Sequence, residues 1–292
     1  MSAQLLDGRL VSDSLLTKVR RGVQKLKRKK ITPKLVIILV GDNPASLSYI
    51  KQKVRAAEQV GMSSEEVVLP AKTSQKTLLA LIEKLNKDKK VHGILVQLPL
   101  PAHLKEEPII RAIDPNKDVD GFHMVNLGEM FISPEGGELS PCTPSGIIEM
   151  LNFYGLPLEG QEVVVVGRSN IVGKPVATML INKGATVTVC HSKTRDLTLH
   201  TKRADILIVA VGRPGLITAR MVKPGAVVVD VGTSKVDNKL VGDVDFKAVS
   251  RKAAWISPVP GGVGPMTVAC LMRNVLRAAE RLSAAKAPSK SR

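Results

Sequence analysis

The chain alternates short apolar runs with longer segments whose apolar residues recur every three or four positions. Short runs bounded by glycine and proline are typical of buried strands, and the longer pattern is typical of amphipathic helices. In the first half, the apolar runs fall at 34–41, 66–70 and 91–101. Helical spacing falls around and between them, at 12–30, 44–61, 74–88 and 105–113. Strands that alternate with helices indicate parallel α/β architecture.

The second half repeats this alternation after a change in composition. Residues 128–146 are rich in Gly, Pro and Ser, and we interpret them as the link between two domains. A helix is predicted at 145–155, and a long one from Thr267 to about Leu282, followed by a polar basic tail. Apolar runs predict strands at 162–167, 186–191, 204–212 and 226–232, and a short strand at the start of 254–267.

The charge balance of the chain is strongly basic. The 292 residues include 43 Lys and Arg against 26 Asp and Glu, a formal net charge of +17. Such a surplus attracts polyanions, which makes nucleic-acid binding an alternative. Aromatic residues are only 2% and no RNA-recognition or zinc-finger pattern occurs, so stacking on bases has little to act on. We therefore favour a solvated basic surface and expect no specific nucleic-acid partner.

The sequence carries no membrane or secretion pattern. Its unbroken apolar runs are far too short to cross a bilayer, and its first twenty residues lack the apolar block of a signal peptide. Cys142, Cys190 and Cys270 are far apart, without a C-x-x-C pair. This spacing argues against a disulfide framework or a structural zinc site. We expect a cytoplasmic protein with no membrane partner and no metal.

The segment "GRSNIVGKP" directly follows the predicted strand 162–167 and precedes a helical stretch. Strand, glycine turn and helix together aim backbone N–H groups and a helix N-terminus at a phosphate. The spacing from Gly167 to Gly173 departs from G-x-G-x-x-G, so the motif alone is weak, and a tight turn with no ligand is the alternative. Three further strands at Rossmann spacing favour a dinucleotide-binding fold.

The end of the next strand discriminates between the two nicotinamide cofactors. An NAD site commonly carries Asp or Glu there for the ribose hydroxyls. This chain instead reads "CHSKTRD", which places His191, Ser192 and Lys193 in that region, and Arg168 adds charge from the glycine turn. We therefore predict NADP over NAD. The alternative is that His191 and Lys193 are ordinary surface residues.

Four residues in the first half are candidates for chemistry. Tyr49 and Lys53 lie one turn apart on the predicted helix 44–61, so both side chains share one face. Gln97 ends a predicted strand, where ligands of open α/β sheets gather, and Asp120 lies in "KDVDGF". Taken singly, each has a structural alternative: a solvated lysine, a packing tyrosine or a turn-forming aspartate.

Taken with their flanking residues, these positions resemble a known family. The segments "GDNPASLSYIKQK", "GILVQLPLP", "PNKDVDGFH", "PCTPSG", "GRSNIVGKP" and "SPVPGGVGPMT" match, in order and spacing, the bifunctional 5,10-methylenetetrahydrofolate dehydrogenase / 5,10-methenyltetrahydrofolate cyclohydrolase family of the FolD type. The resemblance covers about residues 4–282. It implies oxidation of the methylene bridge of tetrahydrofolate with NADP, then hydration of the methenyl cation to 10-formyltetrahydrofolate, with no metal and in one cleft.

The resemblance also implies a catalytic role for each of the four residues. Tyr49 would stack on the folate ring system, with Lys53 above the one-carbon bridge. Lys53 would act as general base or proton shuttle, and must then be neutral for part of the cycle. Gln97 would hold Lys53 or the attacking water. Asp120 would grip the amino and N–H edge of the pterin through two parallel bonds.

The remaining implied residues bind the substrate and the cofactor. Within the loop 258–267, a rigid wall of the folate pocket is assigned to Pro260, Gly261 and Gly262. Cofactor binding is assigned to Gly167, Arg168, Ser169, Gly173, His191, Ser192 and Thr233. One departure concerns the last of these residues. The family commonly reads D-V-G-I-N-R where this chain reads "DVGTSK", so Thr233 and Ser234 replace Ile and Asn.

We therefore expect an α/β protein of two domains, with a cleft between them. Residues 1–140 plus 268–282 would form the folate-binding catalytic domain, 141–267 a Rossmann-like NADP-binding domain, and 283–292 a disordered basic tail. Tetrahydrofolate one-carbon derivatives would be the substrates. As in the family, the assembly would be a homodimer through the Rossmann-like domains.

Three alternatives remain open at this point. The chain could retain only one of the two activities. It could be a Rossmann enzyme that transfers hydride to a small hydroxy or keto acid, which leaves Tyr49, Gln97 and the loop 258–267 without a role. It could also be a basic nucleic-acid-binding module, whose affinity would depend steeply on salt.

Overall fold

A computed structural model of the chain describes residues 2–133, 137–237 and 239–284. The strands are β1 (Gln4–Leu5), β2 (Lys34–Val40), β3 (Ser63–Leu69), β4 (Gly93–Val96), β5 (Glu162–Val166), β6 (Thr186–Cys190), β7 (Ile206–Val209), β8 (Val227–Asp230), β9 (Ser234–Val236), β10 (Lys239–Val241) and β11 (Trp255–Ile256). The helices are α1 (Gly8–Arg28), α2 (Pro44–Val60), α3 (Gln75–Lys87), α4 (Glu106–Ala112), α5 (Met124–Ile132), α6 (Cys142–Phe153), α7 (Gly173–Asn182), α8 (Leu197–Thr201), α9 (Phe246–Val249) and α10 (Val263–Ala284).

The described residues divide into two compact units, each with its own parallel sheet. The three-stranded unit comprises 14–129, 137–142 and 268–284. The six-stranded unit comprises 2–13, 130–133, 143–237 and 239–267, with a small hairpin of β9 and β10 besides its main sheet. The predicted α/β class with two domains is confirmed, because both main sheets are parallel and helices follow their strands.

The three-stranded unit is built around β2. Its sheet has the order β3-β2-β4, and β2 is buried from Leu35 to Val40. A central parallel strand is covered on both faces, which explains why "LVIILV" is a continuous apolar run. β3 lies at the edge, and its residues alternate in exposure. Helix α3 packs its buried side chains, Leu78, Ile82 and Leu85, against this sheet.

A buried lysine joins the end of α3 to the segment that follows α4. Lys117 is 4% exposed, and its Nζ donates to three carbonyl oxygens at the C-terminal end of α3. The acceptors are the carbonyls of Leu85, Asn86 and Asp88, at 3.0, 2.7 and 2.8 Å. The last carbonyls of a helix lack intrahelical partners and carry partial negative charge, so a cation stabilises them. The same segment runs beside β4, where Asp118 pairs with Ile94.

Helix α10 completes this unit through a buried amide. Asn274 is fully buried, and its Nδ2 donates to the carbonyls of Val119 and Ser140, both at 2.9 Å. Buried carbonyls that lose such a donor cost about 1–3 kcal/mol each. The C-terminal helix therefore binds both the residue that precedes Asp120 and the segment that leads into α6.

The six-stranded unit has the strand order β1-β11-β8-β7-β5-β6, with every neighbouring pair parallel. The chain passes from β5 outward to β6, then returns to β7 on the other side of β5. This reversal creates a switch point between β5 and β7, where a crevice opens at the carboxyl ends of the strands. Apolar side chains pack together in the core of this sheet, where Val164, Leu207, Val209 and Val228 are buried.

The chain's first residues belong to the six-stranded unit, whereas the sequence analysis assigned residues 1–140 to the other domain. Gln4 and Leu5 pair in parallel with β11, and Leu6 N donates to the carbonyl of Ile256 at 2.9 Å. A strand of two residues has no period to detect, so only the pairing reveals it. Residues 130–133 also belong here, because Asn182 Nδ2 donates to the carbonyl of Met130 at 2.9 Å.

Three predicted boundaries differ from the structure. Helix α5 occupies 124–132, so the predicted link at 128–146 is shorter, and α6 begins at Cys142 rather than 145. Helix α10 begins at Val263, so the predicted loop 258–267 ends at 262; Pro265 is tolerated because the first turn of a helix needs no N–H donor. The predicted tail 283–292 begins with two helical residues, and 285–292 lie outside the described residues.

Within the described ranges, no helix combines the length and the apolar composition that a membrane span requires. The same ranges contain no group of three or more His, Cys, Asp or Glu side chains that could hold a metal ion. All three cysteines lie in these ranges and are buried, and none of them forms a disulfide.

Candidate active site

Helix α2 carries the first two candidates. Asn43 Oδ1 accepts a bond from Ser46 N at 3.3 Å, so Asn43 caps the helix, and Pro44 occupies its first position. Tyr49 is half-buried, and Lys53 one turn later is only 7% exposed. A lysine is rarely buried unless its ammonium has a partner. That partner is Gln97, whose Oε1 accepts a bond from Lys53 Nζ at 2.9 Å.

Gln97 is held in one orientation at the end of β4. Its backbone N–H donates to Ile38 of β2 at 2.9 Å, and its Nε2 donates to the carbonyl of Leu98 at 2.6 Å. The second bond leaves the amide oxygen to face Lys53, which distinguishes the two ends of the amide. A cis peptide bond joins Leu98 to Pro99. The structure thus brings together Lys53 and Gln97, which are 44 positions apart in the chain.

The loop that carries Asp120 is organised by a residue that the sequence analysis missed. Asp118 is 2% exposed, and its carboxylate accepts bonds from the backbone N–H groups of Gly121 at 3.1 Å and His123 at 2.7 Å. Asn126 Nδ2 adds a third bond at 2.8 Å. Burial raises the pKa of Asp118, which these bonds oppose. The signal that could have identified Asp118 is the sequence "DVDG", in which two aspartates flank a valine and are followed by a glycine.

Asp120 is electrostatically coupled to the Lys53–Gln97 pair. Burial raises the pKa of Asp120 to about 6, the positive charge of Lys53 lowers it, and the negative charge of Asp118 adds to the rise. A small pocket beside it is lined by Asp118, Asp120, Phe122 and apolar residues of β4 and α4. An acid whose protonation changes near neutral pH and that faces a lysine is typical of functional sites.

The six-stranded unit contains the predicted glycine turn. Gly167 follows β5 with a φ of +129°, and a Cβ there would overlap the carbonyl oxygen of Ala210 at the end of β7. Gly173 begins α7, and a Cβ there would overlap the carbonyl oxygen of Gly167. Both glycines therefore allow backbone segments to approach where no side chain fits. The turn lies at the switch point, so it fits the pyrophosphate of a dinucleotide.

Two further residues of the turn, Ser169 and Arg168, contribute side chains rather than space. Ser169 Oγ accepts bonds from Val172 N at 3.1 Å and Gly173 N at 3.3 Å, so the hydroxyl fixes the turn that leads into α7. A hydroxyl that accepts these bonds can still donate its own proton to a phosphate oxygen. Arg168 is exposed beside it. The turn thus offers a donor and a cation at the carboxyl end of β5.

The loop after β6 is also locally fixed. His191 N donates to Thr194 Oγ1 at 2.9 Å, and Lys193 N donates to His191 Nδ1 at 3.1 Å. Because Nδ1 accepts, the neutral imidazole carries its proton on Nε2. Ser192 and Lys193 are exposed. This loop holds cationic and hydroxyl donors where an NAD site commonly has a carboxylate.

Two other predicted segments lie in the six-stranded unit. Thr233 is exposed between β8 and β9. Gly261 has a φ of +108°, and its carbonyl accepts a bond from Gly8 N at 2.9 Å. A Cβ at Gly8 would overlap the carbonyl oxygen of Gly262. The segment with Pro260, Gly261 and Gly262 is therefore packed against the first turn of α1, and its role as a wall of the folate pocket stays a prediction.

The fold and these residues define a class of protein. The six-stranded unit has the switch point and the glycine-only turn of an NAD(P)-binding domain. The three-stranded unit adds a buried lysine, an oriented amide and an acid of raised pKa, which are the groups that proton transfer requires. Together they define a two-domain dehydrogenase with a separate unit for acid–base chemistry.

Comparison with known proteins identifies the family. Residues 6–120 match the catalytic domain of tetrahydrofolate dehydrogenase/cyclohydrolase, and residues 141–283 match its NAD(P)-binding domain. The bifunctional protein FolD of Exiguobacterium sibiricum is 54% identical over 278 residues, which cover 95% of this chain and 100% of that protein. The chain belongs to the tetrahydrofolate dehydrogenase/cyclohydrolase family, and the resemblance seen in its motifs is confirmed.

Two solved structures support the same fold. The bifunctional FolD enzyme of Campylobacter jejuni has a TM-score of 0.93 and 49% identity, covering 96% of this chain and 99% of that one. The Trypanosoma brucei FolD enzyme, described as complexed with NADP cofactor and inhibitor, has a TM-score of 0.93 and 39% identity, covering 98% of this chain and 100% of that one. The match to an NAD(P)-binding domain confirms the predicted dinucleotide-binding domain, and the residues assigned to its cofactor site stay a prediction.

A methyl group at the glycine turn tests the cofactor site. We expect Gly167→Ala to weaken NADP binding at least tenfold, about 1.4 kcal/mol, because the added Cβ displaces the backbone of Ala210. Isothermal titration calorimetry of NADP measures the change. The control is Gly155→Ala, whose φ is also positive at +65° but whose Cβ meets open space. Equal losses of affinity in both variants would contradict a specific role for the turn.

Proposed function

We propose that this protein oxidises 5,10-methylenetetrahydrofolate to 5,10-methenyltetrahydrofolate with NADP, then hydrolyses the product to 10-formyltetrahydrofolate. The observation that carries the proposal is the buried Lys53–Gln97 pair beside Asp120, in a chain that matches both domains of the family. A dehydrogenase of small hydroxy acids also needs a base, so the pair alone does not decide between the two reactions. The match of both domains to the tetrahydrofolate dehydrogenase/cyclohydrolase family favours folate one-carbon chemistry.

Asp120 and Tyr49 orient the substrate in this proposal. The ionised carboxylate of Asp120 accepts two parallel bonds from the 2-amino and N3–H groups of the pterin. The ring of Tyr49, half-buried on the same face of α2 as Lys53, stacks on the flat heterocycle. These contacts set the one-carbon bridge next to the Lys53 amine.

In the oxidation, the methylene carbon loses hydride, and the positive charge that remains is shared by N5 and N10. NADP supplies the hydride acceptor when bound. Gly167 and Gly173 let the backbone approach the pyrophosphate, and Ser169 and Arg168 provide a donor and a cation there.

In the hydration, Lys53 moves the proton. Water adds to the methenyl carbon as its proton passes to the neutral amine of Lys53, while Gln97 Oε1 holds that amine in place. The resulting tetrahedral carbon then forms the formyl C=O, and the C–N5 bond breaks. Lys53 returns its proton to N5, and the hydroxyl proton is released to solvent. Atoms and charge balance as methenyl cation plus water giving 10-formyltetrahydrofolate plus one proton.

The preference for NADP over NAD rests on the loop after β6. His191, Ser192 and Lys193 offer donors and positive charge to a 2′-phosphate, and Arg168 reinforces them. A carboxylate at the same place would repel that phosphate.

We further propose that the enzyme is cytoplasmic. This is supported by its three buried cysteines, none of which forms a disulfide.

Replacing Lys53 separates the two reactions. We expect Lys53→Ala to lower the cyclohydrolase rate by about 10²–10⁴-fold, because water loses its base, while NADP affinity is retained. The rates of methenyltetrahydrofolate hydrolysis and of methylenetetrahydrofolate-dependent NADP reduction are measured on one preparation. The control is Lys51→Ala, an exposed lysine two positions earlier on α2. A Lys53 variant with full cyclohydrolase activity would refute its role, and wild type lacking either activity would refute the bifunctional proposal.

The raised pKa of Asp120 makes folate binding depend on pH. Burial raises this pKa to about 6, whereas an ordinary aspartate has a pKa of 3.8. The carboxylate that binds the pterin is therefore protonated as pH falls through 6. We expect the Kd of tetrahydrofolate to be constant above pH 7 and to rise about tenfold per pH unit well below 6. Calorimetry under anaerobic conditions from pH 5 to 8 gives the profile. Asp120→Asn should be weak and flat, whereas Asp114→Asn should keep the wild-type profile. A pH slope that survives in Asp120→Asn would contradict the assignment.

We also propose a homodimer formed through the six-stranded unit. β6 lies at the edge of its sheet with Val189 38% exposed, and Phe131 and Ile132 on this unit are 67% and 79% exposed. Light scattering should give twice the 31.3 kDa of one chain. Val189→Glu should give the monomer, whereas Val68→Glu, at the exposed edge strand of the other sheet, should remain dimeric. A monomeric wild type would exclude this assembly.

A further inference from the structure

Two aspartates are buried at the carboxyl ends of β7 and β8. Asp230 ends β8 and is 3% exposed, and Asp243 follows β10 and is fully buried. Burying a carboxylate is unfavourable unless hydrogen bonds replace the water that it loses. Each of the two accepts such bonds from backbone N–H groups, and neither has a part in the chemistry described above.

Asp243 holds the end of β7. Its Oδ2 accepts bonds from Val211 N at 2.7 Å and Gly212 N at 2.9 Å, which directly follow Ala210. The carbonyl oxygen of Ala210 is the atom that leaves no room for a side chain at Gly167. Asp243 therefore fixes the stretch of backbone that forms the opposite side of the crevice from the glycine turn.

Asp230 holds the segment that follows β8. Its Oδ1 accepts bonds from Gly232 N and Asp243 N, both at 2.9 Å, and its Oδ2 accepts a bond from Val244 N at 2.9 Å. The bond to Gly232 fixes the backbone that leads into Thr233. The two aspartates are thus linked directly, since the backbone of one donates to the carboxylate of the other.

Two glycines make this arrangement sterically feasible. A Cβ at Gly232 would overlap the carboxylate of Asp243, and a Cβ at Gly242 would overlap that of Asp230. We call these four residues the carboxylate knot. Burial raises the pKa of Asp230 to about 6, and the nearby charge of Asp243 adds to the rise. Burying two carboxylates next to each other is energetically unfavourable. Their position at the ligand-binding edge of the sheet therefore indicates a role beyond packing.

The knot lies at one half of the cofactor crevice. In the order β8-β7-β5-β6, a dinucleotide crosses the switch point with its adenosine ribose at the end of β6, near His191 and Ser192. Its other half then extends over the carboxyl ends of β7 and β8. We propose that Asp230 and Asp243 are positioning residues for the nicotinamide half of the cofactor, acting through the backbones of 211–212 and 232–233.

This inference rests on the proposed function and deepens it. It also gives a reason why "DVGTSK" can differ from the usual family sequence at Thr233. If the knot fixes the backbone at Gly232, the position of the segment depends on Asp230 and Asp243 rather than on the side chain at 233. Cofactor geometry is then set by residues that do not contact the cofactor.

The test separates the two halves of the cofactor. Calorimetry measures binding of NADP and of 2′,5′-ADP, which carries only the adenosine half. We expect Asp243→Ala to raise the Kd of NADP at least tenfold and to change that of 2′,5′-ADP less than twofold. Asp243→Asn, which keeps an acceptor oxygen for Val211 and Gly212, should recover most of the NADP affinity.

The matched control is Asp245→Ala, two positions along the chain. Asp245 Oδ1 accepts a bond from Ala248 N at 3.1 Å and caps the short helix α9, so its loss should leave both Kd values unchanged. The cyclohydrolase reaction uses no cofactor and should keep its wild-type rate in all variants. It therefore reports whether the other unit is intact.

Two results would overturn the inference. One is an NADP Kd within twofold of wild type in folded Asp243→Ala, or, if that variant does not fold, in Asp230→Asn, whose single amide oxygen cannot serve all three N–H groups that the carboxylate holds. The other is a parallel loss of NADP binding, 2′,5′-ADP binding and cyclohydrolase activity, which is the signature of a structural role alone. Wild type that binds NADP but lacks both folate reactions would refute the proposed function, while leaving the binding comparison valid.

Discussion

Parallel strands bring all their carboxyl ends to one edge of a sheet, and every loop that leaves those ends must lie there with its neighbours. This constraint places the functional residues of both units. In the three-stranded unit, Gln97 leaves β4 and meets Lys53, which follows β2 on helix α2. In the six-stranded unit, the loops after β5 and β7 meet at Gly167 and Ala210. The chemistry of the protein is a consequence of which strand ends are adjacent.

Lys117 and Lys53 are both buried in the three-stranded unit, but their ammonium groups have different partners. Lys117 directs its ammonium at three carbonyls at the end of α3, which satisfies the three donors of a lysine and makes it a structural group. Lys53 donates to the amide oxygen of Gln97, and its charge acts on the carboxyl of Asp120. Its ammonium is thus directed at side chains of the candidate site rather than at the carbonyls of a helix end.

Backbone hydrogen bonds to buried aspartates are used in the same way in both units. Asp118 collects the N–H groups around Asp120, and Asp230 and Asp243 collect those at the ends of β7 and β8. A carboxylate accepts several bonds at once, so one side chain can fix a loop that has no regular secondary structure. Glycines accompany them, because Gly232 and Gly242 leave the space that the carboxylates occupy. Rigid loops at a ligand edge are thus built from acids and glycines rather than from apolar packing.

The sequence by itself determined the class of fold and most of the strands and helices, because periodicity and glycine turns are local properties. It gave the site residues only as predictions carried by the family motifs. The motif order further identified the family. Only the tertiary structure decided that β1 joins β11, that α10 begins at Val263, and that Asp118, Asp230 and Asp243 organise the loops. These features depend on pairings between distant positions, such as Asp243 with Val211, 32 residues apart, and no local pattern encodes which distant backbone a buried carboxylate will meet.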